Sequence, residues 1–123
     1  MNRVHREVML HMRAYELMVI FDADVADATL NGHLKTLITE TVEAQGGSVA
    51  KVDHWGKRRF AYRINHKWEG IYVVLEILLP EYKDLSSQDR ALRLADDVVR
   101  HKIIRLPESE ATKRGLLGAA SSA

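Results

Sequence analysis

Residues 53–64 read Asp-His-Trp-Gly-Lys-Arg-Arg-Phe-Ala-Tyr-Arg-Ile (DHWGKRRFAYRI), and the architecture of the chain can be read outward from them. Three adjacent cations, Lys57, Arg58 and Arg59, follow Trp55 and Gly56. A period of two then puts Lys57, Arg59, Ala61 and Arg63 on one side and Arg58, Phe60, Tyr62 and Ile64 on the other. This is the pattern of a strand whose second set can enter a core. Between Lys51 and Lys67 there are six Lys or Arg and one Asp, in a chain whose net charge is +1. Such a local excess suits a patch facing a polyanion. It suits equally a solvated edge strand whose charge guards against aggregation. Charge alone leaves both readings open.

The sequence on either side supplies the other elements. Ser48 to Trp55 is strand-like, and Gly56 lets it bend into the basic stretch, so the two parts make one long, kinked strand. Residues 65–69 (NHKWE) read as a turn. Gly70 to Leu79 (GIYVVLEILL) is the most apolar run and stops at Pro80, as a central strand covered on both faces would. Upstream, Arg13 to Phe21 alternates Tyr15, Leu17, Val19 and Phe21 against Ala14, Glu16, Met18 and Ile20, a second central strand. Asp22, Asp24 and Asp27 follow; their place before a helical pattern assigns them to capping rather than to a metal. Leu30, Leu34, Leu37, Ile38, Thr41 and Val42 then form one buried helical stripe, stopped by Gly46-Gly47. Downstream, Pro80 to Ala95 reads as a second helix with Tyr82, Leu85, Leu92 and Ala95 inward, a stripe interrupted by Gln88 and Asp89. Val98 to Leu106 is a last strand, with Val98, Arg100, Lys102 and Ile104 opposite Val99, His101, Ile103 and Arg105.

The ends are weakly patterned. Residues 1–11 are expected to be a flexible extension, with the functional chain beginning at Met12, and residues 107–123 a disordered tail. Residues 12–106 are then one domain, which a chain of 123 residues can support. With 46% hydrophobic and 28% charged residues the composition is ordinary for a globular protein. The absence of cysteine excludes disulfides and thiol chemistry and is compatible with a reducing cytosol. No apolar run approaches the roughly 20 residues of a membrane-spanning helix.

Strand, helix, strand, strand, helix, strand is the order of the ferredoxin-like split βαβ fold, of class α+β: a four-stranded antiparallel sheet with both helices on one face. Function is expected on the open face. The two central strands carry apolar residues there, which predicts a protein interface. RNA-recognition modules share this fold, but Ile71 and Val73 occupy the positions where such modules carry stacking aromatics, so RNA is expected to be held through its backbone by Arg and Lys. His5, His11, His33, His54, His66 and His101 have no ligand spacing, and no nucleophile motif or phosphate-cradling glycine loop is present. Asp22-Ala23-Asp24 would repel phosphate where an acylphosphatase needs to bind it. No catalysis, cofactor, metal or small-molecule substrate is expected.

The run from Trp55 to Ile64, followed by Glu69-Gly70-Ile71-Tyr72, resembles the signature of the bacterial small-subunit ribosomal protein six family. Met12-Arg13-Ala14-Tyr15-Glu16 resembles that family's start. Leu92-Arg93-Leu94 and Asp97-Val98-Val99-Arg100 with Lys102 are similar to its second helix and last strand. The resemblance implies a non-enzymatic, cytoplasmic protein of the ribosomal platform, paired with small-subunit ribosomal protein eighteen through the open sheet face and bound to the central domain of small-subunit ribosomal RNA. Carried over by position, Arg13, Lys57, Arg58, Arg59, Arg100 and Lys102 are the RNA-contact candidates, with Arg58 pointing the same way as Phe60 and Tyr62. Arg63, where many members have Pro, adds a cation. Trp55, Tyr72 and Val74 are the partner-contact candidates. Phe60 replaces the family's usual Leu. The rival reading is a self-associating, ligand-sensing domain of the same fold.

Overall fold

The computed structural model describes residues 12–117, so the expectations for residues 1–11 and 118–123 lie outside the described residues. Strand β1 (Met12–Asp22) runs between β3 (Lys67–Pro80) and β4 (Val98–Arg105), with β2 (Ser48–Ile64) outside β3. The sheet order is β2-β3-β1-β4 with every pairing antiparallel, the ferredoxin-like arrangement expected from the element order. Period two decides which residues are covered. Tyr15, Leu17, Val19 and Phe21 of β1 and Val73, Leu75, Ile77 and Leu79 of β3 share one core with the helices. Ala14, Glu16, Met18 and Ile20 therefore face the other way.

Helix α1 covers residues 27–44. It is α-helical over Asp27–His33 and Glu40–Ala44 and widens to a π-helix over Leu34–Thr39. Its buried row, Leu30, Leu34, Ile38 and Val42, repeats every four residues. Such a row drifts around a helix of about 3.6 residues per turn, and the i→i+5 widening keeps it over the sheet. The acids before α1 do not cap it: the N-cap is Ala26, without a side-chain hydrogen bond. Asp22 instead accepts the Asp24 N–H and pairs with Lys67 at 2.9 Å, while Asp27 lies in the first turn, where the helix dipole favours an acid.

Helix α2 (Ser86–Leu94) is shorter than predicted, because Pro80 ends β3 and Asp84 accepts the Ser86 N–H and hydroxyl at the helix start. Leu85 and Leu92 are buried as expected, but Tyr82 is 79% exposed. Gln88 is no interruption of the buried stripe: it is 1% exposed and donates to Thr41 Oγ1 of α1 and to Gln45 Oε1 at that helix's C-cap. A buried amide with its partners met sits in a core without penalty.

The disordered tail expected after Pro107 is corrected for the residues described there. Glu108–Lys113 form a third helix, α3. Ala111, Leu116 and Leu117 pack with Ala14, Leu78 and Leu106 as a second small core. Ala14 and Leu78 are paired neighbours on the open sheet face, so α3 covers one end of that face. Arg114 just beyond it reaches Glu16 at 3.2 Å, Glu110 at 2.9 Å and Glu76 at 3.6 Å. Glu16 and Glu76 are direct cross-strand partners, a repulsive placement that this guanidinium offsets.

Candidate nucleic-acid interface

The basic strand is one long, irregular element, as its sequence predicts. Its register against β3 shifts between Val49 and Lys51, between His54 and Gly56, and between Arg59 and Ile64. Gly56 has φ +83°, a conformation that suits glycine at a bulge. In the last shift Arg59 pairs with Glu69 and Ile64 with Lys67, so residues 60–63 all lie opposite Trp68. Strict alternation ends there, which corrects the two-sided reading: Phe60 is buried and Ile64 half-buried, but Arg58 is exposed and Tyr62 is 64% exposed.

Beyond this irregularity the β2–β3 hairpin becomes an arm that returns across the sheet. The predicted turn is confined to Asn65 and His66, both with positive φ, at 49° and 65°, as a two-residue hairpin turn requires. Asn65 Nδ2 donates to the Val99 carbonyl at 2.8 Å, and the Lys67–Asp22 pair ties the arm to the end of β1. The Asp24 N–H and then the Lys67 ammonium hold the Asp22 carboxyl below its ordinary range, and Asp22 in turn raises Lys67. Phe60 is the arm's apolar anchor. It lies edge-on to Tyr72, with ring centres 6.2 Å apart, and sits over Gly70. A Cβ on Gly70 would meet the Phe21 carbonyl at 2.8 Å and Phe60 Cζ at 3.0 Å, so only glycine lets the arm come this close.

An open groove of about 600 Å³ lies between the arm and the open face. Its floor includes Met18, Ile20 and Tyr72; its sides include Arg59 and Tyr62 from β2 and Arg100 and Lys102 from β4. Arg100 pairs across the strands with Ile20 and Lys102 with Met18, so both occupy the open face that their alternation predicts. His101, on the opposite face, bonds Asp89 of α2 at 2.7 Å. Arg59 lies over the Trp68 ring, 5.5 Å from its centre.

The structure thus brings together three of the seven predicted RNA-contact residues. Lys57 and Arg58 are exposed farther back along β2, opposite Ile71 and Gly70, and Arg58 Nε donates to the Trp55 carbonyl at 3.4 Å. Arg63 stands at the tip, 2.8 Å from His66 Nδ1. Arg13 is remote: it is seven residues along β1 from Ile20, roughly 23 Å at the rise of a strand, and lines a separate hollow with Glu81 and Glu108. The partner-contact trio does share the open face. Trp55 stacks on Tyr72 with centres 6.3 Å apart, and Val74 lies two residues on. Met18 and Ile20 are not among the predicted contacts, although the apolar second face of β1 signals them. The sequence offers Tyr62, with Trp55, Trp68 and Tyr72, as either a recognition or a packing residue, and its exposure follows from the broken register.

A ferredoxin-like sheet whose open face joins a cationic groove to an apolar strip is the frame of a binding protein, a class in which surfaces carry the function. The description "Ribosomal protein S6" belongs to the family model that matches residues 14–105. A small ribosomal subunit protein bS6 from Corynebacterium aurimucosum is 44% identical over 94 residues, which are 76% of this chain and 96% of that protein. The bS6 of Mycolicibacterium paratuberculosis is 46% identical over the same shares. The crystal structure of 30S ribosomal protein S6 from Thermotoga maritima superimposes with a TM-score of 0.73 at 25% identity, covering 85% of this chain and 96% of that one. The chain belongs to the ribosomal protein S6 family. It is a structural constituent of the small ribosomal subunit, located on the ribosome in the cytoplasm, and is not an enzyme. Among the described residues no helix is long and apolar enough to cross a membrane.

Proposed function

We propose that the chain binds small-subunit ribosomal RNA in its central domain, within the platform, as a pair with small-subunit ribosomal protein eighteen. The observation that carries this reading is the groove in which Arg59, Arg100 and Lys102 converge without a carboxylate among its lining residues. An RNA backbone laid along it would release counterions from three phosphates at one place. Lys57, Arg58 and Arg63 extend the contact along β2 and the arm, and Arg13 serves a second, separate contact. Trp55, Tyr72 and Val74 receive the protein partner. Because α3 and Arg114 occupy the other end of the sheet, that partner is confined to the strip between Arg114 and the groove.

The test is binding of the full chain to a central-domain fragment of the ribosomal RNA, with and without protein eighteen, at two salt concentrations. Tight, salt-sensitive binding that requires the partner is expected. Arg59→Ala and Arg100→Ala should each lower the magnitude of the salt slope by about 0.7–0.9. A folded chain that ignores the RNA under both conditions would refute the reading.

A further inference from the structure

We propose that the groove under the hairpin arm is a nucleotide subsite that takes one unstacked base of an RNA strand, laid against the ring of Tyr62, with the adjoining phosphates held by Arg59, Arg100 and Lys102. The inference rests on the RNA reading above and adds to it a base contact. Arg59, Tyr62, Arg100 and Lys102 border a space of about 600 Å³ over an apolar floor of Met18 and Ile20. That is within the range of small-molecule sites, and a flat aromatic ring with an anionic linker matches both its floor and its rim. Tyr62 is 64% exposed, a large ring left in water at the mouth of the groove, and every base offers such a ring a π-face. Ile71 and Val73, at the positions where RNA-recognition modules carry stacking aromatics, are on β3 and belong with the helix-side core. Here the aromatic surface comes from β2 instead.

Charge selects RNA over a protein segment. The groove lining contains no carboxylate, whereas a neighbouring hollow on the same sheet face sets Glu16, Asp53 and Glu76 against Lys51 and Arg114. An anionic strand is favoured in the first and finds no such excess of positive charge in the second. The groove is also preformed. Phe60 and the Asn65–Val99 and Lys67–Asp22 links hold the arm in place, and Trp68 underlies Arg59, so little ordering has to accompany binding.

The test uses the full chain and two fluorescein-labelled probes: a six-nucleotide oligoadenylate, and a six-unit ribose-phosphate strand of the same length without bases. Affinities are read by anisotropy at several salt concentrations. Oligoadenylate is expected to bind about tenfold tighter, as stacking on one aromatic ring gives, with equal salt slopes for the two probes. Tyr62→Ala should erase the difference and Tyr62→Phe should keep it; Tyr62 is exposed, and circular dichroism verifies that both variants fold. Equal binding of both probes overturns the base contact and leaves the RNA reading standing. Failure of both probes, with the central-domain RNA still bound, also overturns the subsite. Failure of all three, with protein eighteen present as well as without it, overturns both readings. If Tyr62→Ala weakens binding of protein eighteen and leaves oligoadenylate unaffected, the groove is a protein contact and the proposal fails.

Discussion

Replacing Gly70 with alanine would place a Cβ 2.5 Å from Ile20 Cγ2, 2.8 Å from the Phe21 carbonyl oxygen and 3.0 Å from Phe60 Cζ. A methyl group inside a strand ordinarily gains about 0.5–1 kcal/mol over glycine through reduced chain entropy. Here the gain is outweighed. Ile20 can turn and Phe60 can lift, but the Phe21 carbonyl is backbone in β1 and moves only with the strand. Overpacking of this kind costs about 1–3 kcal/mol, and the backbone contact argues for the upper end, leaving a net loss of about 2 kcal/mol. With an unfolding entropy of about 2.1 cal/mol/K per residue over the 106 residues from Met12 to Leu117, the Tm should fall by about 9 °C. Lifting Phe60 also loosens the arm over the groove, so affinity for the ribosomal RNA should drop in protein that is still folded at the assay temperature. Adding Phe60→Leu to Gly70→Ala should recover part of the loss, because the two sites share one contact and their effects do not add. Thermal unfolding followed by circular dichroism measures both variants. A Gly70→Ala protein within 0.5 kcal/mol of the parent, by the ordinary tolerance of surface positions, would refute the argument that this close approach secures the arm.

Gln88→Leu removes the donor to Thr41 Oγ1 and Gln45 Oε1 and should cost about 1–3 kcal/mol in urea unfolding, since two hydrogen bonds of about 0.5–1.5 kcal/mol each are lost; an unchanged midpoint would mean that water replaces the amide. Arg114→Ala should cost no more than about 1 kcal/mol globally, because its ion pairs are partly exposed. It should nevertheless speed hydrogen exchange at the Ala111 and Leu116 amides, which bond to Pro107 and Ala111, and unchanged exchange would show that Arg114 does not hold α3. In acid, the carboxyls of Asp22, Asp84, Asp89 and Glu110 all lie below their ordinary values. The Asp24 N–H lowers Asp22, the Ser86 hydroxyl lowers Asp84, His101 lowers Asp89 and Arg114 lowers Glu110. A folded-state value below the unfolded one gives stability that is present above the ordinary values of 3.8 and 4.5 and lost as pH falls through the folded values. The Tm should therefore decline below about pH 4, and a Tm that rises there would contradict these pairings.

What was legible in the sequence was whatever a covered face imposes on its own strand or helix. Tyr15 to Phe21 and Arg100 to Arg105 alternate because one side of each meets helices, and a one-residue slip would reverse every side chain; Val98 departs from its predicted side, because a register shift at Ile20 and Phe21 sets it opposite Phe21 and against the helix-side core. The basic stretch was legible as a strand but not as an arm. Its alternation fails where residues 60–63 face Trp68 alone, and the cause, Phe60 settling over Gly70, joins residues ten apart that only the hairpin brings together. Gln88 escapes the sequence for a similar reason: its partners, on α1 and at its C-cap, lie 43 and 47 residues away, so a polar residue in an apolar stripe gives no sign of being satisfied. For α3 there was hardly a local signal. A six-residue helix is too short to be stable alone, and Ala111, Leu116 and Leu117 become a core only against Ala14 and Leu78.

The placement of α3 bears on how one sheet face can serve two partners. Along β1 the open face passes from Ala14, under α3, to Glu16, held by Arg114, and then to Met18 and Ile20, flanked by Lys102 and Arg100. The first part is already covered by the chain itself, and the last is cationic and suits RNA. Beside Met18 and Ile20, across β3 and β2, Val74, Tyr72 and Trp55 form the remaining apolar strip, with Tyr72 shared with the groove floor. The family match ends at residue 105, so α3 lies beyond the matched span. A protein partner docked on that strip would touch Arg114 at one side and could reach RNA in the groove at the other. The two proposed binding events are therefore contiguous on a single surface, which gives a physical reason for the RNA to be bound tightly only by the pair.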